Sequence, residues 1–185
     1  MKQLINPKTD LYEKLKSYIL SHHFPWYYID SGVVDETQTL KTDSVVPFMD
    51  TGRYDNPPLL SHTFLSRPTS KVPYSHPTCS KLVEVDEVFK EIFSHNKVDI
   101  NCFYRINANL VHPPFPGGRT ETFPHVDHSF PHNNILIYLT GAGGKTICGK
   151  YTHDPQEDDI ITFTGKHYHE LPHKEKRVVL VATYI

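Results

Sequence analysis

A chain of 185 residues with 38% hydrophobic and 22% charged side chains has the composition of one ordinary globular domain, long enough to bury a core without staples. Its net charge of −2 gives no electrostatic reason to expect nucleic acid or a membrane as partner; no apolar run approaches a membrane span, and Met1-Lys2-Gln3-Leu4-Ile5-Asn6-Pro7 lacks a signal-peptide core. Cys79, Cys102 and Cys148 are odd in number and widely spaced, which reads as reduced packing residues in a cytoplasmic protein and not as a disulfide framework or zinc site.

The first predicted helix covers 10–22, with Thr9 or Asp10 as N-cap and Leu11, Leu15, Tyr18 and Ile19 on one stripe. Residues 29–79 carry Pro, Ser, Thr, Asp and Gly without a clean period. They predict short edge strands over 44–49 and 61–64 joined by long loops of the kind that form lids or substrate walls. A second helix is predicted over 80–94. It opens on a capping-box pattern at Ser80 with Glu84 nearby, and Leu82, Val85, Val88, Phe89, Ile92 and Phe93 fall at helical spacing. From 101 onward short strands follow one another, at 101–110, 122–127, 133–140, 145–148, 159–164 and 177–185, with no helical pattern between them. That disfavours a βαβ fold and predicts a mainly β, antiparallel jelly-roll barrel with a few bracing helices.

Chemistry concentrates in two separated pieces of this β region. In an extended segment residues i and i+2 share a face, so His125 and Asp127 can chelate one ion together. The second histidine must then come from a distant strand folded alongside. His167 and His169 alternate by two and both could face inward, while His173 sits toward the following turn. Two imidazoles and a carboxylate leave open positions on a ferrous ion. Arg177 heads Arg-Val-Val-Leu-Val-Ala-Thr-Tyr-Ile, a run apolar on both faces and hence a buried strand, where a guanidinium needs an anion. Tyr138 lies on another buried strand. Gly141-Ala142-Gly143-Gly144-Lys145-Thr146 is not a Walker A loop, because Leu139 stands where the first glycine is needed and a strand follows. His128 and His132 follow the His-x-Asp closely and suit a substrate mouth or a solvated surface. On the preceding strand, one of Arg105, Asn107 and Asn109 is placed to contact a ligand.

From 101 to 185 the chain resembles the Fe(II)- and 2-oxoglutarate-dependent oxygenases, in particular the prolyl-hydroxylase-like branch with its small phage and bacterial members. The resemblance rests on His125-Val126-Asp127, on the strand Ile135-Leu136-Ile137-Tyr138-Leu139-Thr140, on Gly143-Gly144-Lys145-Thr146, and on Phe163, Gly165, His169, Glu170 and Arg177 at the family's spacing. Residues 1–100 are similar only loosely, around His23-Phe24-Pro25-Trp26-Tyr27-Tyr28. It implies a double-stranded β-helix (a jelly-roll or cupin-like barrel) forming a single domain over 1–185. In that domain 1–100 supply helices, edge strands and loops, and 101–185 the metal-binding core. It also implies Fe(II) on His125, Asp127 and His169, the family spacing selecting His169 over its neighbours. Arg177 and the Tyr138 hydroxyl would hold the distal carboxylate of 2-oxoglutarate. The implied reaction uses O2 to hydroxylate an unidentified substrate, a protein side chain or a small molecule, with release of succinate and CO2. This chain departs from the pattern in three places. The His-to-Arg gap is one residue shorter, which puts Pro172 in a tighter turn; Val179 replaces a small hydroxyl residue; and Thr140 replaces an asparagine. Two other readings of the same residues are a cupin-type metalloenzyme working without 2-oxoglutarate and a non-catalytic module that binds metal or 2-oxoglutarate. Arg177 separates the first of these, since such an enzyme has no need of a buried cation.

Overall fold

The computed structural model describes residues 1–29, 57–69 and 72–185. The strand expected over 44–49, and most of the 29–79 segment expected to form long loops, lie outside them. The described elements run β1 (Lys2–Leu4), α1 (Asp10–Leu20), β2 (Tyr27–Ile29), β3 (Leu59–Ser66), β4 (His76–Pro77), α2 (Leu82–His95), β5 (Phe103–Val111), β6 (Asn133–Tyr138), β7 (Thr146–Cys148), β8 (Tyr151–His153), β9 (Ile160–Phe163), β10 (His167–His169) and β11 (Arg177–Tyr184). Seven strands form a path in the order β1-β9-β6-β11-β5-β3-β2, with β4 paired to β3, and β10-β7-β8 make a second, smaller sheet. Every one of these pairings is antiparallel. The described chain is mainly β with two helices.

Strand pleating divides the large sheet into two faces with different jobs. On β11, Val178, Leu180, Ala182 and Tyr184 join the larger core, together with Ile135 and Ile137 of β6 and Ile106, Ala108 and Leu110 of β5. The helices cover that face, contributing Tyr12, Leu15 and Ile19 from α1 and Val85, Val88, Phe89, Ile92 and Phe93 from α2. The alternate residues, Arg177, Val179 and Val181 of β11 with Asn134, Leu136 and Tyr138 of β6, face the other way and line a cavity. In β5 the same alternation sends Arg105, Asn107, Asn109 and Val111 to the cavity. The sheet is thus a wall between a helix-covered core and a hollow.

The N-terminus of α1 is as its sequence requires. Thr9 is extended and its hydroxyl accepts from the Tyr12 amide, while Asp10 and Glu13 sit in the first turn, where the helix dipole favours acid. This helix stops at Leu20, two residues earlier than expected, because Ser21 turns back onto the Tyr18 carbonyl through both its amide and its hydroxyl. Lys16 is buried against the sheet edge, its ammonium 2.6 Å from Glu157 and 2.5 Å from Asp158. The expected capping box at the second helix does not form. Ser80 lies in a turn closed by the Leu82 amide on the Cys79 carbonyl, and α2 begins at Leu82 with Lys81 in helical conformation and no side-chain cap. Nor does 122–127 form a continuous strand; it is an irregular segment with one isolated bridge at His125, and a second precedes it at Glu121. No helix among the described residues is long and apolar enough to cross a membrane.

Candidate metal centre and anion pocket

The irregular segment is held where the small sheet ends. His125 and His167 exchange two backbone hydrogen bonds, 2.8 and 2.9 Å, and the Thr122 amide donates to the His169 carbonyl at 2.8 Å. Since His167 and His169 share one face of β10, three imidazoles converge. Ligand atoms of His125, His167 and His169 all lie within 4.8 Å of one another. The two candidates left open by strand alternation are therefore both present, whereas His173 is exposed beside Glu170.

Hydrogen bonds set the tautomers. His125 Nδ1 donates to the Phe123 carbonyl at 2.9 Å and His167 Nδ1 to the Gly165 carbonyl at 3.1 Å, so in both rings Nε2 keeps its lone pair. His169 Nδ1 lies 2.8 Å from the Thr146 hydroxyl, which is 2.6 Å from the Tyr138 hydroxyl. Burial, with the neighbouring His125, lowers the His167 pKa to about 4. Burial, with His167 and Arg177, pushes His169 well below its ordinary value. Neutral imidazoles are the form that binds metal.

Asp127 stands at the edge of this cluster, with Oδ2 3.5 Å from His167 Nε2 and Oδ1 2.6 Å from Arg105 Nη2. Its burial would favour the neutral acid. The charge of Arg105 and its hydrogen bond override that and hold the carboxyl far below the usual range. Arg105 is a residue whose contact with Asp127 no sequence spacing announces, since the two lie on separate segments 22 residues apart. A carboxylate whose second oxygen is fixed by a guanidinium is oriented as a ligand should be. His128, one residue on, turns away and lies 2.7 Å from the Thr183 hydroxyl. Burial, with Arg105, lowers its pKa to about 4. His132 is buried beside it.

Arg177 and Tyr138 line the same cavity of about 400 Å³ as the imidazoles. The Arg177 guanidinium is 4% exposed; Nη1 donates to the Gly144 carbonyl at 2.6 Å and the Glu170 carbonyl at 3.1 Å, while Nε has no partner. Among the described residues no carboxylate pairs with it. Burial pulls its pKa down from the usual arginine value. The glycine loop rejected as a phosphate binder has another use. Gly144 adopts φ +84, and a Cβ there would meet Arg177 Nη1 and the Glu170 carbonyl at 2.7 Å. Only glycine lets the loop wrap the guanidinium. Burial raises the Tyr138 phenol to about 12, so it remains a donor. Of the strand residues singled out in sequence, Arg105, Asn107 and Asn109 all line the cavity, and Asn107 Nδ2 donates to Asn109 Oδ1 at 2.6 Å.

These residues fit a divalent cation with an organic anion beside it. Three imidazole nitrogens converge, the Asp127 carboxylate stands 3.5 Å from the nearest of them, and a buried guanidinium with an orphaned Nε lacks its counter-ion. No protein-family model matches the sequence, and no curated protein matches it. A crystal structure of an oxidoreductase of the 2OG-Fe(II) oxygenase family from Burkholderia pseudomallei is similar over 94% of this chain and 78% of that one, with a TM-score of 0.57 and 11% identity. This chain shares its fold. A Trichoplax adhaerens prolyl hydroxylase in complex with a hypoxia inducible factor peptide fragment overlaps 66% of this chain and 70% of its own, with a TM-score of 0.40 and 11% identity. For a Pseudomonas putida prolyl-4-hydroxylase the values are 71%, 76%, 0.39 and 16%. Both overlaps are too partial to add to the fold assignment.

Proposed function

We propose that this chain is an Fe(II)- and 2-oxoglutarate-dependent dioxygenase, a single domain over 1–185 built as a double-stranded β-helix. The observation that carries the reading is Arg177, a buried cation without a carboxylate partner among the described residues, opening on the cavity that the three imidazoles also line. His125, Asp127 and His169 would hold the ferrous ion, and Arg177 with Tyr138 the distal carboxylate of 2-oxoglutarate. When bound, the iron and 2-oxoglutarate would supply with O2 the oxidising power that hydroxylates a C–H bond, leaving succinate and CO2.

The chain's own residues have defined tasks in this reading. Metal on His169 Nε2 requires the proton on Nδ1, which then donates to Thr146 Oγ1. The Thr146 hydroxyl then donates its hydrogen bond to the Tyr138 oxygen, and the Tyr138 O–H is left to donate to an anion. Arg105 fixes the rotation of Asp127, and Val179, Val181 and Leu136 present an apolar floor that limits water. The substrate would be a protein side chain or small molecule. The free cysteines suit the reducing cytoplasm.

The test is succinate formation from 2-oxoglutarate by the purified protein with and without Fe(II). Iron-dependent succinate supports the reading. Metal-dependent turnover of other compounds with no 2-oxoglutarate binding would replace it with the cupin-type enzyme, which the third imidazole at His167 would suit. Binding of 2-oxoglutarate and metal without turnover of any screened substrate would favour the non-catalytic module.

A further inference from the structure

We infer that His167 is a fourth protein donor to the metal and that 2-oxoglutarate displaces it. The inference rests on the oxygenase reading for the second half only.

His167 is 3% exposed, and its ring packs T-shaped on Phe163 with the centroids 4.7 Å apart. Its centroid is 4.4 Å from that of His125 and 5.1 Å from that of His169, closer to each than they are to one another at 6.1 Å. The two-bond backbone bridge with His125 fixes this pairing at the main chain. With Nδ1 committed to Gly165, the Nε2 lone pair faces the Asp127 carboxylate at 3.5 Å and has no proton to offer it. Lone pair against carboxylate is repulsive without a cation between them. By tautomer, distance and burial, His167 is as well prepared to bind metal as either histidine of the facial triad.

Counting positions gives the consequence. Three imidazoles and one carboxylate occupy four places on a six-coordinate ion and leave two. A chelating 2-oxo acid would take both, so a place for O2 would open with the cosubstrate only if one protein donor left as it bound. Asp127 is tied by Arg105 at 2.6 Å, His169 by the buried Thr146–Tyr138 pair, and His125 by a 2.9 Å bond to Phe123. Of the four, His167 is the donor the oxygenase reading does not need, and its Nδ1 anchor is the carbonyl of Gly165, which is at φ +88 in an exposed turn with open space where a Cβ would stand. It is therefore the donor that would leave. In the resting protein His167 would cap the metal; in the cosubstrate complex it would swing aside and open the place it held.

The parent protein loaded with Co(II) tests this directly, because each cobalt-bound imidazole carries a paramagnetically shifted, exchangeable Nδ1–H signal. Three such signals are expected without 2-oxoglutarate and two with it; His167→Gln should show two in both states. Co(II) affinity should fall about tenfold or more in His167→Gln without 2-oxoglutarate and match the parent's at saturating 2-oxoglutarate. By linkage, 2-oxoglutarate should bind the cobalt-loaded variant more tightly by the same factor. Two signals in the parent without 2-oxoglutarate would overturn the fourth donor. Three signals persisting with 2-oxoglutarate bound would overturn the displacement. If 2-oxoglutarate fails to bind the cobalt-loaded protein, the oxygenase reading and the displacement fall together, while three signals would still uphold the four-donor site.

Discussion

Replacing Arg177 by alanine separates cosubstrate binding from metal binding. The guanidinium already spends Nη1 on the Gly144 and Glu170 carbonyls, so an incoming carboxylate would be met by the remaining edge, including the unpartnered Nε. Truncating one member of a buried, hydrogen-bonded charge pair costs roughly 2–5 kcal/mol. The dissociation constant for 2-oxoglutarate should therefore rise by roughly 30- to 4,000-fold, since each 1.4 kcal/mol or so is a factor of ten. It should not become infinite, because the chelating end of the molecule does not touch Arg177. Metal affinity should be nearly unchanged, since Arg177 ligates nothing. Folding has opposing terms of about 1–3 kcal/mol: two buried carbonyls lose a donor, and a desolvated charge is removed. Calorimetric titration of 2-oxoglutarate into Mn(II)-loaded parent and variant, with circular dichroism as a fold control, measures the effect. Equal 2-oxoglutarate affinities in two folded proteins would refute the anion-pocket assignment and bring the cupin-type reading forward.

Asp127→Ala should abolish iron-dependent succinate formation with the fold retained, as read by a succinate assay beside a thermal melt; full turnover would dismiss the carboxylate as a ligand. Gly144→Ala forces a Cβ to 2.7 Å from both Arg177 Nη1 and the Glu170 carbonyl at φ +84, and should cost roughly 1–3 kcal/mol in urea unfolding. The metal-free protein should lose stability on acidification from about pH 6.5 to about pH 4. His128 and His167 are held neutral in the fold with pKa values of about 4, so the unfolded chain takes up their protons first and gains. The His128 share has a ceiling of about 3 kcal/mol, and a His128→Gln variant should flatten that part of the profile in pH-dependent melts.

What the sequence disclosed follows from the range of the physics involved. The run Arg177-Val-Val-Leu-Val-Ala-Thr-Tyr is apolar on both faces, and the structure buries every residue of it. Helix α1 follows from Thr9 and an apolar stripe, both local signals. Local signals failed where a partner decides. The 122–127 segment is extended only in patches because β10 offers it one isolated bridge, and β1, β8 and β10 are three residues each, too short to show a period. Alternation placed His167 and His169 on one face, but nothing along the chain says that His125 would dock beside His167. The clasp of Arg105 on Asp127 and the wrapping of Arg177 by Gly144 likewise join residues far apart in sequence. Glycine in a Gly-Gly-Lys-Thr string signals a loop without saying what the loop encloses.

The pleat of β11 carries a last consequence for how this protein can change. Val178, Leu180, Ala182 and Tyr184 look into the helix-covered core, while Arg177, Val179 and Val181 look into the hollow. Parity along one strand thus sorts selection into two kinds. Even positions answer to thermal tolerance alone, and odd positions both to the molecule that fills the cavity and to a smaller apolar cluster in which Val179 and Val181 pack with Leu136, Ile161 and Phe163. A deep mutational scan read twice, once for abundance and once for 2-oxoglutarate capture, should show the capture phenotype at alternate residues only. An odd-numbered substitution such as Val179→Thr would then change capture and, by burying a hydroxyl, lower the melting point as well.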